Sequence, residues 1–209
     1  MVRILLIRSA ATDFDEQGRI KGTLDLPLSD VGTAQAVRLV AELQQVAIDY
    51  FYSSTCRCAV ETATQLAHSR KLKVKQLADF QNVDHGLWHG KLVDELKHTQ
   101  PRVYRQLQEH PETVCPPEGE PVGMAQARVR VGIDRLLRKH RTGTIALVLP
   151  EPLFSLARNV ITPGELGDLW KAECQCGGWQ LLDLANDDVR RVVLAHTSAA
   201  VLPVAGGAA

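Results

Sequence analysis

Arg8 and Ser9 stand directly behind an unbroken apolar run, Ile4-Leu5-Leu6-Ile7. In an open α/β sheet the carboxyl end of such a strand is where side chains meet a ligand. An arginine there can hold an anion or pair with a carboxylate. A serine there can act as a nucleophile or cap the next turn, and a hydroxyl without a base beside it is a poor nucleophile. Capping is therefore the role expected of Ser9. Arg19 and Lys21 follow on the loop from Asp13 to Asp30 and would widen a basic mouth. Cys56 and Cys58, with Cys174 and Cys176, make two C-x-C pairs. That is not the C-x-x-C spacing of zinc sites, and cysteine often packs as a small hydrophobe, so no metal and no cofactor are expected. His85 and His89 flank Trp88; they could form an acid/base pair or hold a loop by hydrogen bonds. Trp170 and Trp179 read as packing residues.

The elements that must position these residues follow from periodicity. Val2 to Ile7, Ile48 to Ser53 and Thr144 to Leu149 read as strands, the first and last apolar enough to be covered on both faces. Helices are expected over Ser29 to Leu43, Cys58 to Ser69, Val93 to Glu109, Gly123 to His140 and Leu153 to Val160. In the first of these Ala34, Val37, Leu39, Val40 and Leu43 form the apolar face. Trp179 to Leu184 and Val189 to Ala195 read as a closing pair of strands. This alternation predicts a three-layer α/β/α sandwich with a mostly parallel central sheet. A single domain is expected over residues 1–198, with 199–209 a disordered tail.

Composition excludes little but points one way. The chain has 209 residues, 24 basic and 24 acidic side chains and five cysteines. A neutral total offers no general field for nucleic acid or an anionic membrane, although a local patch could hide in it. No run approaches the roughly 20 apolar residues of a membrane span. An odd set of cysteines in a domain this size suggests reduced thiols, hence a cytoplasmic protein.

One series of residues is more specific. Arg8-Ser9-Ala10-Ala11-Thr12-Asp13-Phe14-Asp15 is followed by Gly18-Arg19-Ile20-Lys21-Gly22, by Asp25-Leu26-Pro27-Leu28-Ser29 and by Gly32 with Gln35-Ala36. It resembles the opening of the histidine phosphatase superfamily: R-H-G-E-T-x-x-N, G-R-x-x-G, D-x-P-L-[ST] and G-x-x-Q-A. Ser53-Ser54 with Ala59 and Thr62-Ala63 resembles S-S-x-x-x-R-A-x-x-T-A. Gly86-Leu87-Trp88-His89-Gly90 resembles G-x-W-E-G, and Pro117-Glu118-Gly119-Glu120 resembles P-x-G-E. The likeness runs over about residues 1 to 165 and implies a phosphoglycerate mutase-like fold. It also implies a phosphoryl-transfer site built from a nucleophilic histidine, two arginines, a second histidine and a proton-donating carboxylate.

Carried over position by position, the resemblance keeps the first arginine as Arg8. The nucleophile falls on Ser9 and the second arginine on Cys58, with Arg57 one place early. The proton donor falls on Asn82, and the second histidine on Pro150 or, one place later, on Glu151; His89 stands at a glutamate. Without nucleophile, clamp and acid together, residual chemistry of this kind is not expected. The expectation is a catalytically inactive member that binds a protein or a small anionic ligand, with Arg8, Arg57 and Arg19 as anion-binding candidates. Neither nucleic acid nor membrane is an expected partner. The alternative is an enzyme with a rebuilt site using Ser9, Cys58 or His89; its thiol version predicts a strongly depressed thiol pKa at Cys58.

Overall fold

β1 (Val2–Arg8) and β4 (Gly143–Leu149) are the apolar runs the sequence marks out, and they pair in parallel from Val2 opposite Gly143 to Arg8 opposite Leu149. The computed structural model describes residues 1–164, 166, 169 and 175–184. β2 (Tyr50–Ser53) lies on the far side of β4, β3 (Val74–Gln76) beyond it, and β5 (Trp179–Leu184) runs antiparallel to β1. The sheet order is β3-β2-β4-β1-β5.

Period two explains the layers. Leu5, Ile7, Phe51, Ala146 and Val148 face one side, where α2 (Asp30–Glu42) and α3 (Arg57–His68) cover them with Leu39, Ala63 and Leu66. Ile4, Leu6, Ile145 and Leu147 face the other, under α6 (Val122–Lys139) and α7 (Leu153–Ile161). Ile4 to Ile7 are fully buried, each contributing about 1.5–3 kcal/mol. This is the expected α/β/α sandwich with a mostly parallel sheet.

Local departures have local causes. The loop from Asp13 to Asp30 contains a short helix, α1 (Asp13–Glu16), closed by a capping box between Thr12 and Asp15. The expected single helix from Val93 to Glu109 is two, α4 (Val93–Thr99) and α5 (Pro101–Glu109). Pro101 forces the break, because its ring disfavours helical backbone at Gln100. In α2 the buried face is Gly32, Ala36 and Leu39, while Val37 is exposed. β3 is three residues long, too short to show any periodicity. Trp179 is not a core residue; it is partly exposed, its indole donating to Glu42. The expected strand Val189 to Ala195, the tail, Trp170 and Cys174 lie outside the described residues. Among the described residues no helix is long and apolar enough to cross a membrane.

Candidate functional site

The site forms where β1 and β4 end side by side. Ser9 N–H donates to Leu149 O at 2.8 Å, extending the ladder by one residue, and Ser9 O accepts from Gly177 N–H at 3.3 Å. Ser9 is therefore fully buried, and its hydroxyl faces the Cys58 thiol at 3.7 Å. It caps nothing; that role belongs to Thr12, which bonds to both backbone and side chain of Asp15. The turn after Ser9 is fixed from two helices, by Thr62 on Ala10 N–H and Gln35 on Ala11 N–H. Gly32 lets α2 approach, since a β-carbon there would lie 2.0 Å from Ala11 O.

Charge is balanced inside the pocket. Lys21, expected to widen a basic mouth, is buried, and its ammonium donates to both oxygens of Asp15 at 2.7 and 2.9 Å. Arg8 Nη2 lies 3.9 Å from the same carboxylate. Burial opposes charge on Asp15, but Lys21 and the Thr12 bonds outweigh it and hold its carboxyl below the ordinary range. Burial likewise opposes charge on Lys21, and the neighbouring Cys58, Asp15 and Cys176 carry its pKa above normal.

The other wall is the turn after β4. Glu151 Oε2 accepts from Ser155 N–H at 3.3 Å at the start of α7, and Oε1 is buried without a hydrogen-bond partner. Burial pushes this carboxyl up, against the smaller pull of Arg8, Ser155 and Lys21. Pro150 is buried beside it and only its carbonyl is used, accepting from Phe154 N–H. Asn82 is buried, and its amide donates to Gly22 O at 2.8 Å and Glu151 O at 3.1 Å. It ties the loop after α1 to the turn after β4.

The histidines divide. His85 is buried and lines the cavity, its imidazole lowered to about 4 by burial first and His89 second. His89 Nε2 accepts from the backbone N–H groups of His85 and Thr23 at 3.2 and 3.3 Å, the loop-holding arrangement. The resulting cavity has a volume of about 120 Å³ and is lined by Phe14, Asp15, Arg19, Lys21, His85 and Glu151 among others.

Two groupings expected from the residue pattern do not survive. Arg57 is exposed and pairs with Glu61 at 2.7 Å along α3. Burial raises the Cys58 thiol above its ordinary value, with only partial opposition from Lys21 and Ser9. A depressed thiol, which the Cys58 version of the rebuilt-enzyme alternative requires, is not what this environment produces. Arg19 stays at the exposed rim, its guanidinium donating to Gly90 O and Gln17. Among the described residues no three His, Cys, Asp or Glu side chains are arranged to hold an ion. Sequence reasoning missed the Asp15–Lys21 pair. Its one visible signal was an acid standing where the opening motif has asparagine.

Residues 4–197 match the model of the histidine phosphatase superfamily, branch 1. The chain belongs to that superfamily. Phosphoserine phosphatase 1 of Hydrogenobacter thermophilus is 27% identical over 194 residues, covering 93% of this chain and 91% of the relative. A bifunctional protein of Mycobacterium tuberculosis is also 27% identical, over 197 residues, but this chain spans only 53% of it. Among solved structures, YhfR of Bacillus stearothermophilus superposes with a TM-score of 0.80 at 22% identity, covering 89% of this chain and 93% of that one. A mycobacterial glucosyl-3-phosphoglycerate phosphatase superposes with a TM-score of 0.78 at 22% identity, covering 87% and 92%. These superpositions establish the histidine phosphatase fold for this chain.

Proposed function

We propose that this superfamily member does not hydrolyse phosphomonoesters and acts instead as a binding domain. The observation that carries this reading is the buried Asp15–Lys21 pair beside Arg8, with the Glu151 carboxyl on the opposite wall. Phosphoryl transfer draws its rate from uncompensated positive donors around the equatorial oxygens and from a positioned nucleophile. Here both cations already serve a carboxylate, and a second buried carboxyl, that of Glu151, occupies the opposite wall. Ser9, at the nucleophile's place in the resemblance, faces a thiol whose proton burial retains, not a general base. That phosphoserine phosphatase 1 is a relative gives the ancestry of the pocket, not its present chemistry.

Of the two partner classes, a protein and a small anion, the pocket supports the protein better. Its charge is balanced, and exposed Leu24, Leu87 and Leu92 flank the lining residues Gly22, His85 and Val93. An apolar rim around a polar, neutralised centre suits a protein surface. A small anion would be left with Arg19 at the rim.

The test is hydrolysis of p-nitrophenyl phosphate and phosphoserine by purified protein. No turnover above buffer is expected. Turnover that disappears in Arg8→Ala would overturn the reading, because it would tie the activity to this pocket rather than to a contaminant.

A further inference from the structure

The opposite edge of the sheet, at the amino ends of β2 and β4, carries a feature the pocket does not explain. Lys71-Leu72-Lys73-Val74-Lys75 alternates cation and apolar residue. In extended chain the two sets point to opposite faces. Leu72 and Val74 pack against the cluster under α2 and α3, so Lys73 and Lys75 stand on the other face.

There the end of α6 meets them. Lys139 Nζ lies 5.9 Å from the centre of the Tyr52 ring. His140 Nε2 is 2.8 Å from the Tyr52 hydroxyl, and its ring centre is 3.8 Å from that of Tyr50. Burial first, and then Lys139 and Lys75, hold the His140 imidazole below its ordinary value, which places both cations in one field. Lys73, Lys75 and Lys139 are exposed, and among the described residues no carboxylate forms a salt bridge with any of them. Asp49, the nearest acid along β2, is engaged by Thr144 N–H at 2.7 Å. A cleft of about 230 Å³ there is lined by Asp49, Tyr50, Tyr52, Leu72, Lys73 and Lys75 among others, with Tyr50 39% exposed.

We propose that this edge binds single-stranded nucleic acid, Lys73, Lys75 and Lys139 taking phosphates while Tyr50 stacks on an unpaired base. Clustered cations that neutralise nothing within the protein are a footprint for a polyanion, and an exposed aromatic ring among them selects one that offers flat faces. Alternate strand residues set Lys73 and Lys75 about 6.6 Å apart along the edge, a spacing for successive charges rather than one compact ion. The cleft is smaller than the roughly 300 Å³ at which drug-sized pockets begin, room for one ring. A duplex hides its base faces in the stack. The neutral total charge, which pointed away from nucleic acid, averages this edge with the acidic remainder.

The experiment is fluorescence anisotropy of a labelled oligouridylate of about a dozen nucleotides, titrated between about 50 and 200 mM salt. Binding is expected to weaken with a log–log salt slope of about −2, from three phosphates on a single strand. The Lys73→Glu/Lys75→Glu variant should bind at least tenfold more weakly. Tyr50→Ala should lose about fivefold or more with the slope unchanged, as loss of a stacked base requires. Arg102→Glu/Arg105→Glu on α5 is the charge-matched control and should bind as the parent does. The proposal falls if the oligonucleotide does not bind at the lowest salt, or if the Lys73/Lys75 variant binds like the parent. It also falls if a duplex of equal length, or vesicles containing phosphatidylserine, bind more tightly than the single strand. Thermal unfolding of each variant confirms that the compared proteins are folded.

Discussion

Lys21 Nζ sits between the two carboxylate oxygens of Asp15, 2.7 Å from one and 2.9 Å from the other, in the interior of the pocket. The pair turns what would be an anion-binding cation into an internal ligand of the protein.

Breaking it from the acid side should be costly, because a buried ammonium would lose its main counter-charge. Asp15→Asn is expected to destabilise the fold by about 3–5 kcal/mol at neutral pH. Lys21→Met should cost less, since Asp15 keeps Thr12 and Arg8. The double variant should cost less than the sum of the singles. Asp15 has a depressed folded pKa, so its contribution is present above the unfolded value of 3.8 and is lost as pH falls through the folded one. Urea unfolding of the four proteins checks this, and additive costs would refute the coupling.

Glu151 makes the opposite prediction. Its folded pKa is raised, so the folded protein holds that proton more tightly than the unfolded chain does, and the charged form works against folding. The penalty appears as pH rises above the unfolded value of 4.5. Glu151→Gln should therefore raise the thermal midpoint by a few degrees at neutral and higher pH. The gain should vanish below that value. A variant less stable than the parent at neutral pH would count against the buried-carboxyl account.

His85 sets an acid limb. Its pKa is 6.5 in the unfolded chain and about 4 in the fold, so the unfolded state takes up a proton first. Stability should be full above 6.5 and decline as pH falls toward 4, by up to about 3 kcal/mol at 1.36 kcal/mol per unit. His85→Gln should flatten that limb in a series of unfolding curves. An unchanged slope would show that other groups carry it.

Asn82 is expected to reject an acid. Asn82→Asp would aim a carboxylate at the carbonyls of Gly22 and Glu151 and lose both donated bonds. The cost should be at least about 2 kcal/mol, read as a lowered thermal midpoint that partly recovers in acid as the new group gains a proton. A midpoint equal to the parent's would remove Asn82 from this role.

The sequence exposed most of the scaffold because β1 and β4 are buried on both faces and read as uninterrupted apolar runs. It could not reveal β3, whose three residues carry no period. It overran from α4 into α5, since the periodic pattern continues across Pro101 and only the backbone restriction stops it. The pocket was half legible. The resemblance placed Ser9, Cys58, Asn82 and Glu151 around one point, but nothing in it says which loop cations fold inward. Lys21 and Arg57 look alike in the chain. One is captured by Asp15 across a tight turn, and the other by Glu61 one helical turn along an exposed face.

The Asn82 amide joins a residue 60 positions before it to one 69 positions after it. Neither bond can close until β1 and β4 are in register, because each spans a long loop whose entropy must first be offset by sheet pairing. The pocket is thus expected to be among the last parts of the chain to assemble. In native-state hydrogen exchange the turn around Glu151 should open before the strands beneath it.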